Sequence, residues 1–371
     1  MSELFVGLMS GTSLDGVDGV LVNFSDAQLA VVAHASAAMP AALRQELLAL
    51  NQSGPNELQR AALAANALVR VYAQVVADLL GMTGIDKAEV NAIGAHGQTV
   101  RHQPQPFDGT GYTLQLNNPA LLAELTGIDV AADFRSRDVA AGGQGAPLVP
   151  AFHQLMFGRA RETVAVLNLG GMSNLTVLGP QPPGDILGFD CGPGNALMDA
   201  WCLQQRGQAF DADGNWAAAG RVHAGLLNAM LAEPYFGQPA PKSTGRDLFN
   251  SAWLNEKLEQ FAPMATADVQ ATLAELTASV CATSVKRHGA ESKNLIVCGG
   301  GVFNSHLMRR LQALLPWLQV DSSQSHGLAP LQVEATAFAW LARKAVLREA
   351  ISLQTVTGAR GARVLGAIYP A

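Results

Sequence analysis

Charge is scarce in this chain. Asp, Glu, Lys and Arg make up 15% of its 371 residues, and no stretch gathers the 24 basic ones. A net charge of −6 without a basic patch removes the electrostatic footprint that nucleic acid or an anionic membrane requires, and points to a small-molecule partner. Cysteine is sparse too. Cys191, Cys202, Cys281 and Cys298 show no C-x-x-C spacing, so they read as reduced thiols in a cytoplasm. His96 and His102 flank a Gln-Thr-Val-Arg run without a third ligand, which argues against zinc. The opening Met-Ser-Glu-Leu-Phe lacks the basic region and apolar run of a signal peptide, and no segment offers the ~18 uninterrupted apolar residues of a membrane span. Two nucleotide signatures are missing as well: there is no G-x-x-x-x-G-K-[ST] P-loop and no G-x-G-x-x-G after a strand.

What the chain does have is apolar mass and glycine. Apolar residues make up 49% of it and glycines number 37, which predicts a compact soluble protein with many tight turns. Its length suggests two domains, each large enough to bury its own core, with a cleft between them as the natural place for a site.

The opening apolar runs 5–9 and 20–22 read as strands of a hairpin, followed by a strand over 29–34 and a helix opened by Pro40. Helical spacing over 57–80 predicts a long helix stopped by Gly81, and Asn118-Pro119 starts another that Gly127 stops. Strands are predicted over 91–95, 128–132, 163–168, 174–178 and 295–298. Thr266 is expected to cap a helix running to Arg287, a last long helix spans about 333–350, and 364–368 returns to the first domain as a strand. The polar, then glycine-rich run from Asp133 to Gly145 marks the main domain crossing.

Three glycine-rich turns each follow a strand: 10–18, 168–174 and 298–304. A turn of small residues aims several backbone N–H groups at one point, and carboxylates beside it hold a hydrated cation, which suits the phosphates of a Mg-nucleotide. The triple glycine 299–301, before a helix over 305–315, leaves room for a flat ring against backbone. Ordinary strand-to-helix corners have the same composition.

The motifs Gly7-Leu-Met-Ser-Gly-Thr-Ser-Leu-Asp-Gly-Val-Asp18, Ala95-His-Gly-Gln-Thr99, Asn168-Leu-Gly-Gly-Met-Ser-Asn174, Gly188-Phe-Asp-Cys-Gly-Pro-Gly-Asn-Ala-Leu-Met-Asp199 and Lys242-Ser-Thr-Gly-Arg-Asp247, in this order, resemble the anhydro-N-acetylmuramic acid kinase family of the actin-like superfamily. The resemblance implies two actin-like (ribonuclease H-like) α/β domains flanking a nucleotide and sugar cleft, the first spanning 1–130 plus about 352–371 and the second 131–351. It implies ATP and Mg2+ as cofactors, an anhydro amino sugar as the small-molecule partner, and a homodimer. The family opens the 1,6-anhydro ring with water while moving the γ-phosphate of ATP to the released oxygen, in the recycling of cell-wall peptidoglycan.

Residue by residue, the resemblance makes Asp190 the base for the water, a role that its setting among glycines and a proline also favours. A capping role for Asp190 is disfavoured, because the next helix starts near Asn195, which caps it unaided. Glu334 resembles a sugar-facing catalytic partner and reads equally as a first-turn Glu on the helix dipole. Gly11, Thr12, Ser13, Leu14, Asp15, Gly16, Val17 and Asp18 are implied as the ATP phosphate loop, with Asp15 holding Mg2+ through water and Asp18 reading equally as a residue that orders the turn. Asn168, Gly170 and Gly171 are expected on the second phosphate turn, and Gly299, Gly300, Gly301 and Asn304 at the adenosine. Gln98, Thr99 and Arg135 are implied toward the sugar. Cys191 stands where the family leads us to expect Thr, which puts a hydrogen bond to Asp190 in doubt. Lys242 and Arg246 have no assigned role. A simple kinase of another amino sugar and an actin- or chaperone-like ATPase switch are the alternatives.

Overall fold

The structure, a computed structural model, describes residues 3–11, 14–25, 29–105, 107–180, 185–261 and 263–371, so Thr12 and Ser13 of the first turn lie outside the described residues. In chain order its strands are β1 (Leu4–Met9), β2 (Gly16–Asn23), β3 (Ala30–Ala38), β4 (Val90–Ala95), β5 (Gln98–Pro104), β6 (Gly111–Leu116), β7 (Val130–Ala132), β8 (Val164–Leu169), β9 (Met172–Leu178), β10 (Ile186–Pro193), β11 (Asn294–Cys298), β12 (Gln319–Ser322) and β13 (Ala367–Tyr369). Among the described residues five helices reach ten residues or more: α1 (Glu57–Thr83), α2 (Ala196–Arg206), α3 (Thr266–His288), α4 (Ser305–Leu314) and α5 (Val333–Val346).

The chain divides into two units, Met1–Phe152 with Leu331–Ala371, and His153–Pro330. In the first the sheet order is β13-β7-β4-β1-β2-β3, and in the second β10-β9-β8-β11-β12. Each sheet starts with an antiparallel meander, β1-β2-β3 or β8-β9-β10, and adds two parallel strands on the other side of its first strand. The repeat of that order is the pair of actin-like domains that the resemblance implied.

Alternation explains the first unit. Leu4, Val6 and Leu8 of β1 point into a core closed by Leu68, Tyr72, Val75 and Leu79 of α1, residues three or four apart on one helix face. By length and composition α1 is apolar enough to cross a membrane, and it packs that face on the sheet. On the opposite face Gly7 of β1 and Gly94 of β4 are register partners. A Cβ at Gly7 would come within 1.9 Å of the Ala335 carbonyl oxygen, and one at Gly94 within 2.0 Å of that of Phe338. The two glycines therefore make a groove into which the backbone of α5 sinks.

This seating decides where the units divide. With α5 on β1 and β4, and β13 paired to β7, residues 331–351 stay with the first unit. Residues 131–152 stay there too, where Asp138 accepts from the Thr357 hydroxyl at 2.8 Å and the Gln144 N–H donates to the Thr357 carbonyl. The division falls at 152/153 and 330/331, not at the expected 130/131 and 351/352. Helix ends differ in detail. The left-handed stop of α1 is Gly84 rather than Gly81, and Thr266 is the first residue of α3, whose cap position is Ala265.

Candidate active site

In the second unit, strand register aligns the polar residues. Cys298, Asn168, Asn174 and Asp190 are successive partners across β11, β8, β9 and β10, so their side chains share one sheet face. Their neighbours Leu167, Leu175, Phe189 and Cys191 point to the other face, into the core beneath α3. Asp190 sits on the edge strand and is half-buried. Its N–H donates to the Lys242 carbonyl at 3.0 Å, its carbonyl accepts from the Tyr235 hydroxyl at 2.7 Å, and its Oδ2 accepts from the Thr244 N–H at 3.0 Å. Burial, with the Asp190 charge second, pushes the Tyr235 phenol well above its ordinary pKa, so Tyr235 stays a donor.

Cys191 does not hold the Asp190 carboxylate. Its thiol faces Cys281 and Ser284 of α3, and burial pushes it far above the usual thiol range. The doubt raised at this position therefore concerns the core. All four cysteines are buried and unbridged.

The glycine turns of this unit meet one another. The Gly170 carbonyl accepts from the Asn195 N–H at 2.9 Å, and the Gly171 carbonyl from the N–H groups of Gly194 and Ala196. Asn195 does not cap α2 with its side chain, because its Nδ2 donates to the Leu169 carbonyl at 3.0 Å. The three successive glycines differ. A Cβ at Gly299 would fall 2.3 Å from Asn168 Oδ1, and one at Gly301 2.5 Å from Leu169 Cβ, whereas one at Gly300 meets nothing within 4 Å. Of the three, only Gly300 faces open space. Asn304 caps α4, its Oδ1 accepting from the Leu307 N–H at 2.9 Å, so its side chain is engaged by the helix.

In the first unit the implied residues gather at the carboxyl ends of the parallel strands β1, β4 and β7, the usual end for ligands in α/β sheets. Ser10 Oγ donates to the Gly97 carbonyl at 3.1 Å, which leaves the buried Tyr72 hydroxyl as donor to Ser10 at 2.9 Å. Gln98 Nε2 donates to the Gly11 carbonyl at 3.2 Å, and the Leu14 N–H closes the turn on the same carbonyl. Leu14 takes a left-handed φ of 58° with its side chain in the core, a strained conformation fixed by packing. Arg135 donates to His96 Nε2 at 2.8 and 3.2 Å and to the Gly145 carbonyl at 2.9 Å. A guanidinium only donates, so Nε2 is the acceptor and His96 is neutral. Burial, then the Arg135 charge, hold its pKa well below the ordinary value. Thr99 Oγ1 accepts from Gln115.

Asp18 turns away from the first glycine turn. Its Oδ1 accepts from Ser36 Oγ at 2.6 Å and contacts His34 Nε2 at 3.3 Å, both on β3, so it orders the strands. Asp15 is exposed, with Arg44 at 3.9 Å. Gly16 and Val17 have entered β2. Glu334 lies half-buried in the first turn of α5, on the first unit, whereas Asp190 is on the second.

Gln98 Oε1 beside the first turn and Asn168 Oδ1 beside the second are among the buried side-chain atoms that have no hydrogen-bond partner within the described residues. Such atoms are costly to leave unmet, and a polar ligand satisfies them. No group of three or more His, Cys, Asp or Glu residues that could hold a metal occurs among the described residues. A single exposed carboxylate nonetheless fits Mg2+, which keeps most of its waters and rests on substrate phosphates. Ser10, Tyr72, His96, Tyr235 and Thr244 were not singled out as site residues from the sequence. The Lys242-Ser-Thr-Gly-Arg-Asp247 motif was the one signal that pointed to the last.

A model of the anhydro-N-acetylmuramic acid kinase family matches residues 3–371. A protein of that name from Albidiferax ferrireducens is 72% identical over all of both chains. One from Variovorax paradoxus is 64% identical over 100% of this chain and 99% of its own, and one from Cupriavidus pinatubonensis is 57% identical over 99% and 98%. With matches that span the whole chain, it belongs to the anhydro-N-acetylmuramic acid kinase family, a family of phosphotransferases.

Proposed function

We propose that the chain opens the 1,6-anhydro ring of 1,6-anhydro-N-acetylmuramic acid with water and phosphorylates the released oxygen from ATP, giving N-acetylmuramate 6-phosphate for peptidoglycan recycling. Asp190 takes a proton from water as the water oxygen bonds to the anomeric carbon. The bond from that carbon to O6 breaks, O6 takes the γ-phosphoryl group, and ADP leaves. Asp15 would hold a bound Mg2+ through water, and the ion would supply charge neutralisation at the phosphates.

The chain's own groups divide the remaining work. Gln98 Oε1 accepts from a sugar hydroxyl, Arg135 is held for the sugar by neutral His96, and Glu334 assists at the sugar. The turn at residues 11–15 and Gly170-Gly171 bind the phosphates, and Gly300 takes the adenine face. One observation carries this reading: in a chain matching the family over nearly its whole length, Asp190 is a half-buried carboxylate at the end of the row Asn168–Asn174–Asp190, fixed at both backbone and side chain. The homodimer and the cytoplasmic setting belong to the same proposal, and sedimentation checks the first.

Incubation with ATP, Mg2+ and the anhydro sugar in 18O-water tests it. Product with the heavy oxygen at the anomeric carbon is expected, and unlabelled phosphorylated product would mean a simple kinase.

A further inference from the structure

We infer that residues 235–244 form a strap that aims the Asp190 carboxylate, and that Lys242 is the positioning residue that keeps the strap closed. The inference rests on the reading of Asp190 as base.

β10 is an edge strand, so at Asp190 the backbone groups directed away from β9 have no ladder partner. The strap satisfies both, through the Lys242 carbonyl and the Tyr235 hydroxyl, and adds the Thr244 N–H on Oδ2. Three bonds from one segment converge on a single residue and fix its peptide and its side chain together.

Lys242 closes the strap on itself. Its Nζ donates to the Tyr235 and Phe236 carbonyls at 2.9 and 3.3 Å, at the end of the short helix Pro234–Gly237, and lies 4.4 Å from the centre of the Tyr235 ring. These contacts engage a half-buried ammonium that would otherwise read as a phosphate ligand. Its pKa is lowered, chiefly by burial and also by the Arg287 charge, while Cys191 and Asp190 act against the shift. Beneath it lies a cavity of about 140 Å3, lined by Phe189, Cys191, Phe236, Arg287 and His288 along with Lys242 itself. The cavity leaves the strap room to sag when the ammonium is removed. A carboxylate displaced by an ångström loses most of its advantage as a base.

Lys242→Met keeps an unbranched stem and removes the charge. In the 18O-water assay its kcat is expected to fall about 30-fold with KM for ATP changed less than about threefold, and Lys242→Arg to recover most of the loss. Tyr235→Phe, which removes only the hydroxyl, is expected to lower kcat about tenfold. In an Asp190→Asn background, Lys242→Met is expected to slow the residual single-turnover rate less than about twofold, because the strap acts through that carboxylate. Normal kcat in both Lys242→Met and Tyr235→Phe, with Asp190→Asn inactive, would overturn the strap and leave the base in place. Raised KM for ATP at unchanged kcat would overturn it in favour of a phosphate contact. Full turnover in Asp190→Asn would instead remove the base reading itself.

Discussion

Apart from β13, the two units share one strand order and use the same sheet face differently. In the first, the face of Gly7 and Gly94 is filled by the backbone of α5, and the register row Met9–Asp18–Ser36 ends in a hydrogen bond between strands. In the second, the strands that correspond to β1 and β4 pair Val166 with Ile296, which leave no such groove, and the row above them is Asn168–Asn174–Asp190. The third strands differ most. β3 carries no carboxylate, whereas β10 carries Asp190 under a strap. The duplicated fold thus fills this face with helix backbone in one sheet and carries a row of polar side chains on it in the copy, with a few residues marking the difference.

The largest expected effect breaks the second unit's role. Asp190→Asn removes the proposed proton acceptor while keeping size and the Thr244 contact, and should lower kcat by about 10³-fold or more with little change in nucleotide binding. Steady-state kinetics beside titration of ADP separates the two. Retained turnover would make the two units equivalent in chemistry and sink the comparison.

Next comes the first unit's groove. Gly94→Val places side-chain atoms where the Phe338 carbonyl already lies 2.0 Å from an ideal Cβ, so α5 has to lift. A loss of roughly 3 kcal/mol or more of stability is expected, read as a lower denaturant midpoint. At Ile296, the corresponding position of the second unit, Ile296→Val should cost only ~1 kcal/mol, because no backbone approaches through a glycine gap there. Equal losses would show that the glycine pair is not what seats α5.

How much of this was legible follows from where each signal lives. Asp190 and the glycine turns sit in contiguous motifs, so local chemistry exposed them. The strap was not readable, since its partners lie 45 and 54 residues from Asp190 and bond partly through backbone atoms that any residue would supply. The groove needs the register of Gly7 on Gly94, which a single strand does not reveal. His96 and Arg135, 39 residues apart, meet only when β4 and β7 lie side by side. Asn304 is the reverse case. It sits just before a helix, so its capping role was readable, and the adenosine reading hid it.

Acid should test both units alike. His102 bonds to Thr113 at 2.8 Å in the first and His153 to Thr176 at 2.9 Å in the second, and burial lowers their pKa to about 4 and about 3 from the ordinary 6.5. Both are neutral when folded and charge when unfolded, so the unfolded chain binds more protons below pH 6.5. Their contribution is complete above that pH and is lost as the pH falls, at up to ~1.4 kcal/mol per unit for each. Urea midpoints at about pH 7 and about pH 5 should show the fall, and His102→Gln or His153→Gln should each remove a similar share. Below about pH 4 only the share of His153 continues to grow. A slope that survives both substitutions would place it on other groups.

The smallest effect sharpens the triple glycine, a feature of the second unit alone. Gly299 takes a φ of 80° and abuts Asn168 and Leu169, so Gly299→Ala should lower stability by about 2 kcal/mol through backbone strain and crowding. Gly300 is exposed and an added Cβ touches nothing, so Gly300→Ala should leave the denaturant midpoint almost unchanged. If the adenine ring lies on that peptide, one methyl group lifts it by about a carbon radius and forfeits part of its dispersion contact. KM for ATP should then rise several-fold, about 1 kcal/mol, with kcat little changed. A normal KM in Gly300→Ala would move the ring elsewhere and leave the three glycines as a corner that Gly299 and Gly301 require for packing alone.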